Sequence, residues 1–277
     1  MNPWLPRWLK QWYRQSDFYL RHRSKYQNLY HCTVQKCASQ WIRGLLSDDR
    51  TYRCCGLRSY QYQEELPDRH DPRKNTERSF TDPFPESTIV TPIYIDYDGF
   101  AKIPKPRPYR AFFVMRDPRD VLISWYFSIK HSHRLFGDLA RVHQELDRLS
   151  ETDGLIYTID HLRDFGLFAA QRSWAGAPAK DPNVMLVRFE DLIAPGQVPV
   201  FERLLTHCDI PMPRCVLEDL LKAYSFEELS GRKRGEEDRT AHYRKGVQGD
   251  WRNYFNEAVQ ARFSAVAGDL IELWNYQ

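Results

Sequence analysis

One short stretch, residues 34–41, constrains the fold of this chain more than any other. An apolar run, residues 29–34, leads into it, and an amphipathic run, residues 41–46, leads out of it. This order predicts a strand, a tight loop and the start of a helix. The loop carries Lys36, small residues, a hydroxyl and an amide where free N–H groups and the helix dipole favour an anion. The stretch therefore predicts an anion-binding loop, and an ordinary strand–helix turn is the alternative.

A second stretch of the same kind begins with the buried-strand pattern of residues 111–115. The pattern ends at Arg116, and Pro118 follows at a position typical of the first turn of a helix. Ser124 comes two helical turns later. Both Arg116 and Ser124 are then within reach of one phosphate, whose oxygens match the planar donor fork of arginine.

A third stretch, residues 244–251, reads Arg-Lys-Gly-Val-Gln-Gly-Asp-Trp. Two adjacent cations, Arg244 and Lys245, stand beside Gly246. This arrangement suits a phosphate clamp that is built partly from backbone N–H groups.

Together the three stretches resemble the motifs of the PAPS-dependent sulfotransferase family, of the soluble cytosolic type, where PAPS is 3'-phosphoadenosine-5'-phosphosulfate. The first resembles the family's 5'-phosphosulfate loop, usually Pro-Lys-Ser-Gly-Thr-Thr-Trp, and it matches at Lys36 and Trp41. Ser39 is a conservative replacement, whereas the loop departs from the family pattern at Cys37, Ala38 and Gln40. The second stretch resembles the 3'-phosphate motif, and the third resembles the family's Arg-Lys-Gly-x-x-Gly-Asp-Trp.

The resemblance implies an α/β fold, with a central parallel sheet flanked by helices in a single domain over residues 1–277. A P-loop-like phosphosulfate loop is expected after the first strand. The implied reaction moves the sulfuryl group in line from PAPS, which becomes PAP, to a hydroxyl or nitrogen of a small polar acceptor. Lys36 is expected to neutralise the leaving oxygen, and Trp41 and Phe226 to enclose the adenine. The implied cofactor-binding residues are Lys36, Cys37, Ala38, Ser39, Gln40, Trp41, Arg116, Ser124, Phe226, Arg244, Lys245 and Gly246.

The general base is the point at which the sequence departs most from the family. In animal members the corresponding strand ends in Lys-Thr-His and that histidine is the base, but residues 87–100 contain no histidine. Asp96 is the nearest carboxylate past the strand end, and it needs a raised pKa to act near neutrality. His133 needs no shift from its ordinary pKa of about 6.5. We expect Asp96 or His133 to be the catalytic base, and a solvated histidine is the alternative for His133.

The acceptor pocket is expected to form from the divergent segments 58–100 and 130–150. Tyr94, Asp96, Tyr97 and Asp98 would give it a polar wall, which favours a small polar acceptor, including a cationic one. The alternative is that the acids are solvated turn residues. Residues 58–86 are long for a structureless loop, so we expect this segment to cover the site.

The overall charge excludes a general nucleic-acid binder. The chain has 40 Lys and Arg against 37 Asp and Glu, a net charge of +3. No signal peptide or membrane span is recognisable, so a cytoplasmic enzyme is expected. The six cysteines form no metal-type pairs and are expected to be free thiols, and no metal is expected. The animal dimer motif is not reproduced near Arg252, so the oligomeric state stays open.

Two other functions are compatible with an anion-binding loop. One is a P-loop kinase, but its loop needs two glycines before the lysine, and this loop has neither. The other is a non-catalytic nucleotide or polyanion binder, because the loop is substituted and the family's base is missing.

Several elements are expected outside the motifs. They are a packed helix within residues 3–26, a short strand over 51–57, a strand from Ile89 that Pro92 ends or places at an edge, a helix over 119–130, and helices over 138–149, 153–174, 199–208, 213–224 and 257–274.

Overall fold

The computed structural model describes residues 20–133 and 137–277. Its centre is a five-stranded sheet in the order β2-β3-β1-β4-β5, and every pair of neighbouring strands is parallel. The strands are β1 (Asn28–Thr33), β2 (Arg58–Tyr60), β3 (Thr88–Tyr94), β4 (Tyr109–Met115) and β5 (Val184–Arg188). The expected α/β fold with a central parallel sheet is therefore confirmed.

Helices cover both faces of the sheet. Short 3-10 helices occupy Tyr62–Glu65, Pro67–Arg69 and Asp250–Asn253, and a π-helix occupies Ser128–Ser132. The α-helices are α1 (Ser39–Ser47), α2 (Asp49–Cys55), α3 (Tyr97–Lys102), α4 (Pro118–Phe127), α5 (Asp138–Arg148), α6 (Glu151–Asp164), α7 (Leu167–Trp174), α8 (Ala177–Lys180), α9 (Phe189–Ile193), α10 (Val198–His207), α11 (Arg214–Ala223), α12 (Phe226–Ser230), α13 (Glu257–Ala267) and α14 (Asp269–Leu273).

Side-chain alternation along the strands builds one apolar core on each face. In β1, Leu29 points to the face covered by α1, α2, α10 and α11, and Tyr30 points to the other. In β4, Phe112 and Phe113 divide between the same two faces. The second face carries α4, α6, α7 and α13. A parallel sheet covered on both faces needs such nearly continuous apolar strands.

One local prediction was wrong, and another is met in one of its two alternatives. Residues 49–55 form helix α2, because Asp48 caps its first turn and Gly56, at φ 72°, ends it in the left-handed region. Pro92 does not end β3, which runs on to Tyr94, but it lies at the sheet edge, because β2 pairs only with residues 88–90 of β3. One residue of β1, His31, faces two of β3, Thr91 and Pro92, and such a bulge accommodates a residue that has no N–H to donate.

The helix predictions are largely met, with breaks. The helix expected over 119–130 is α4 followed by the π-helix, and the one over 153–174 is broken at Gly166, where φ is 75°. The helix expected within residues 3–26 falls mostly on residues 3–19, which lie outside the described residues, and 20–26 contain no helix.

The topology brings the ends of the strands to one edge of the sheet. Because all five strands are parallel, the loop after β1, the end of β3 and the residues after β4 and β5 share the carboxyl edge. The connection from β3 to β4 crosses β1, and ligands of open α/β sheets bind at such switch points. No helix in the described part of the chain is both long enough and apolar enough to cross a membrane.

Candidate active site

A cavity of about 920 Å³ opens at the carboxyl edge of the sheet. Its volume is within the range of small-molecule and cofactor sites. Cys37 and Asp96 do not line it. The predicted site residues that line it are Lys36, Ala38, Ser39, Gln40, Trp41, Arg116, Ser124, His133, Phe226, Arg244, Lys245 and Gly246.

The loop after β1 has the backbone of an anion site. Lys36 and Ala38 both adopt the left-handed region, at φ 67° and 60°. When residues of positive and negative φ alternate along the backbone, successive N–H groups point into one concave anion-binding site. Ala38 is also the N-cap of α1 and makes no capping hydrogen bond through its side chain. The first N–H groups of α1 therefore remain available to a ligand.

Lys36 and Arg116 place two positive charges beside this loop. Burial and the charge of Arg116 lower the pKa of Lys36 to about 8. Arg116 Nη1 donates to the Lys36 carbonyl at 3.2 Å, and its guanidinium lies 4.9 Å from the Phe189 ring centroid. Arg116 Nε is buried without a hydrogen-bond partner. Within residues 20–133 and 137–277 no carboxylate forms an ion pair with Lys36. The positive charges of Lys36 and Arg116 therefore repel each other when no anion is bound between them.

The second and third motifs are joined by a buried carboxylate. Asp120, on α4, accepts from Gly249 N at 2.6 Å and from Trp251 N at 3.0 Å. Arg119 stacks its guanidinium 3.8 Å from the Trp251 ring centroid. Burial raises the pKa of Asp120, while the charge of Arg116 and the two backbone donors act in the opposite direction.

The cations of the third motif share one acid. Arg244 Nη2 and Lys245 Nζ both contact the buried Asp250, the latter at 2.6 Å. Arg244 also contacts Glu237. Asp250 therefore fixes both cations at the cavity and offsets part of their charge.

Two features require a glycine at position 246: its left-handed backbone conformation and the closeness of the Phe226 ring. Its φ is 69°, and a Cβ added there would lie 2.4 Å from the Phe226 ring. The ring of Phe226 therefore packs directly against the backbone of the third motif at Gly246. Trp41 also lines the cavity, and its Nε1 donates to the Tyr224 carbonyl at 2.8 Å.

The segment 58–86 forms one wall of the cavity, over residues 61–64, 69–72, 74 and 78. The buried Arg78 fastens this segment to the sheet, because its Nη1 donates to the Tyr94 carbonyl at 2.8 Å and to Asn75 Oδ1 at 3.0 Å. Asn75 in turn pairs with Gln35 of the phosphate loop. The segment is therefore locked to the loop and to the end of β3.

Of the predicted polar wall, only Tyr94 is at the cavity. Asp96 is the N-cap of α3, where its Oδ1 accepts from Gly99 N at 2.8 Å, and it does not line the cavity. Asp98 is exposed, and Tyr97 packs on Trp174 in the core. Of the four residues only Tyr94 lines the cavity, with its hydroxyl 2.8 Å from Ser39 Oγ. The chain turns into a helix past the strand end and carries both acids away from the site.

The sequence reasoning missed several basic residues of the cavity, among them Arg43 and His242. Arg43 lies one helical turn after Ser39 on α1, and its Nη1 donates to Gln61 Oε1. The helical period of α1 was a usable signal for it. His242 stands two residues before Arg244, and only this proximity to the third motif pointed to it.

A family model described as "Sulfotransferase domain" matches residues 27–275. The fold is an α/β fold with a basic cavity at the carboxyl edge of its sheet, and this match shows that the chain belongs to the sulfotransferase family.

Among its relatives, Cytosolic sulfotransferase 17 of Arabidopsis thaliana is 23% identical over 201 residues, which are 65% of this chain and 55% of that protein. Flavonol 3-sulfotransferase of Flaveria bidentis is 23% identical over 194 residues, 62% of this chain and 59% of that protein. The matches thus span little more than half the length of these curated relatives.

Solved structures of two proteins share the fold. Mouse sulfotransferase SULT7A1, complexed with PAP, gives a TM-score of 0.53 at 14% identity, covering 90% of this chain and 85% of that one. Retinol dehydratase, in complex with androsterone and inactive cofactor PAP, gives 0.52 at 17% identity, covering 94% and 85%. At these identities the likeness bears on the fold alone.

Proposed function

We propose that this chain is an enzyme that transfers the sulfuryl group from PAPS to a hydroxyl or nitrogen of a small polar acceptor. The observation that carries this proposal is the meeting of the three motifs at one cavity, which Lys36, Arg116, Arg244 and Lys245 all line. Family membership supports it. So do the two fold relatives, which were solved with PAP.

The residues divide between the two ends of the ligand. Lys36 and the N–H groups of the loop from Cys37 to Trp41 receive the 5'-phosphosulfate. Cys37 takes part through its backbone only, because its side chain is buried in the core. The 3'-phosphate is held by Arg116, Ser124, Arg244, Lys245 and Gly246, and Phe226 and Trp41 flank the adenine.

Charge stabilisation is the main catalytic contribution of the protein. Bound PAPS supplies the sulfuryl group and the phosphate on which the leaving charge collects. Lys36 meets that charge with its ammonium, and the loop N–H groups meet it with fixed dipoles that need no reorganisation. By analogy with phosphoryl transfer, positioning and electrostatics of this kind account for most of the rate.

The acceptor is a small polar molecule. A cationic acceptor was expected from Asp96 and Asp98, and since neither acid lines the cavity, this finer expectation rests on the sequence alone. Arg43, Arg69 and Lys74 line the cavity instead. We therefore include anionic, neutral and cationic acceptors in the test. A cytoplasmic location is part of the same proposal, supported by the cytosolic relative.

Turnover of PAPS to PAP, measured over a panel of alcohols, phenols, amines and guanidines, tests the proposal. We expect at least one acceptor to accelerate PAP release in the presence of EDTA, because the transfer needs no magnesium. Transfer from ATP that depends on magnesium would instead indicate a kinase. Binding of PAP with a steep salt dependence and no turnover would indicate a non-catalytic binder.

A further inference from the structure

His242 is one of four histidines that line the cavity, together with His70, His133 and His161. It precedes the third motif and so lies on the same loop as the cations Arg244 and Lys245. Its ring meets the ring of Tyr243 edge to face, with centroids 5.0 Å apart. Its imidazole lines the same cavity as Lys36 of the phosphate loop.

The loop that carries His242 is held by backbone contacts on both sides. Arg232 Nη1 donates to the Arg244 carbonyl at 2.9 Å, and its Nη2 donates to the Tyr243 carbonyl. Asp238 N donates to the Arg244 carbonyl at 2.9 Å, and Ala241 N donates to the Asp238 carbonyl at 3.2 Å. The loop therefore presents the imidazole from a fixed backbone.

Three basic groups from other parts of the chain act on His242 through their charge. They are Lys36 of the phosphate loop, Arg43 of α1 and His133 after the π-helix. Burial lowers the pKa of His242, and the charges of Lys36, His133 and Arg43 lower it further. The imidazole is consequently neutral near pH 7 and has a free lone pair, as a general base requires.

We propose that His242 is the general base that takes the proton of the acceptor, an inference that rests on the proposed function. Two observations favour it. His242 lines the same cavity as Lys36, which marks the sulfuryl end of the ligand and whose charge acts on the imidazole. Its ring is also flanked by the ring of Tyr243.

The step balances without a further reactant. The acceptor oxygen or nitrogen forms a bond to sulfur while its proton passes to the His242 imidazole. The bond from sulfur to the bridging oxygen breaks, and its electron pair stays on the phosphate beside Lys36. His242 then releases the proton to solvent.

The charges around His242 give this role a distinct pH dependence. An anionic cofactor beside Lys36 offsets the positive field, so the pKa of His242 rises when PAPS is bound. The acidic limb of kcat should therefore lie at a higher pH than that of kcat/KM for PAPS, because the second reports the free protein. A base remote from the cofactor would show no such displacement.

Four variants test the proposal: His242→Gln, His242→Ala, His133→Ala and the control His131→Ala. His131 is exposed, lies two residues from His133 and does not line the cavity. Each variant is assayed at saturating PAPS with the best acceptor of the panel, and without acceptor as PAPS hydrolysis, in which water is the acceptor. PAP affinity is measured in parallel by calorimetry.

Both His242 variants should lose roughly 100-fold or more in kcat, keep their PAP affinity and lose the acidic limb of the pH profile. Added imidazole should restore part of the rate of His242→Ala, and His131→Ala should behave as the unsubstituted protein. An acidic limb that survives in His242→Gln, or that disappears in His133→Ala instead, overturns the proposal. If the protein binds PAP but does not turn over PAPS with any acceptor, water included, both this role and the proposed function are overturned.

Discussion

Ala38 stands where the family's phosphate loop usually has glycine, and its backbone shows why. At φ 60° it adopts the left-handed conformation, in which a Cβ is unfavourable by roughly 1–2 kcal/mol. Ala38→Gly should raise the free energy of unfolding by about 1 kcal/mol. Glycine relieves the strain of the folded state, and the greater flexibility of its unfolded state offsets only part of that gain. Urea denaturation would measure it. Ala261→Gly, exposed in the middle of α13, should instead lower stability, and an equal loss in both variants would contradict the argument.

Lys36 should matter for the chemical step more than for binding. Lys36→Ala should lower kcat roughly 100-fold or more, since the ammonium acts on charge that develops at the leaving oxygen, while PAP affinity largely survives. A near-normal rate would remove Lys36 from the mechanism.

In the unsubstituted protein, kcat/KM for PAPS should fall as pH rises through about 8, the pKa of Lys36, because the neutral amine no longer stabilises the anion. Lys36→Arg should move this alkaline limb to higher pH.

Gly246 provides a matched test of how Phe226 packs on the third motif. Gly246 and Gly231 share a φ of 69°, but a Cβ at Gly246 would overlap the Phe226 ring, whereas at Gly231 it would meet open space. Both alanine variants carry the backbone strain, and only Gly246→Ala must displace the ring. We expect a weakening of PAP binding by roughly 10-fold or more in Gly246→Ala alone, measured by calorimetry. Equal affinities in the two variants would show that the ring position is unimportant.

At the scale of elements, Asp120 joins the start of α4 to the 3-10 turn that follows the third motif. Asp120→Ala leaves the buried N–H groups of Gly249 and Trp251 without their acceptor, and each such loss costs about 1–3 kcal/mol. Both the melting temperature and PAP affinity should fall, since Arg244 and Lys245 are positioned by this turn. Asp219→Ala, exposed on α11, is the control and should change neither. Unchanged PAP affinity in Asp120→Ala would mean that the clamp is positioned without this tie.

Elements that local patterns define were predictable, and those that distant contacts define were not. The strand, loop and helix around Lys36, and those around Arg116, follow from apolar runs and helix-start signals in adjacent residues. The turn at Asp96 depends instead on α7, because Trp174 Nε1 donates to the Ile95 carbonyl at 2.9 Å and Tyr97 N donates to Ser173 Oγ at 2.8 Å. These partners lie more than 70 residues away, so the local sequence gave no sign that Asp96 would leave the site.

At the scale of the whole molecule, basic residues are concentrated at one cavity, which the overall composition does not indicate. The chain is nearly neutral, with a net charge of +3, yet Lys36, Arg116, Arg244 and Lys245 meet in one cavity. Asp250 and Glu237 offset only the third motif. The parallel sheet creates this concentration by bringing motifs separated by more than 200 residues to one edge.

The central claim is that the cavity recognises the 3'-phosphate of PAPS, and a comparison of PAP with AMP tests it most directly. The two ligands differ only in that phosphate, which Arg116, Ser124, Arg244 and Lys245 are proposed to hold. Several charge-assisted hydrogen bonds of about 1.5–3 kcal/mol each correspond to a preference of 100-fold or more. Calorimetric titration of the protein should therefore give PAP a Kd at least roughly 100-fold below that of AMP, with the gap much smaller in Arg116→Ala. Equal affinities for PAP and AMP in the unsubstituted protein would contradict the account.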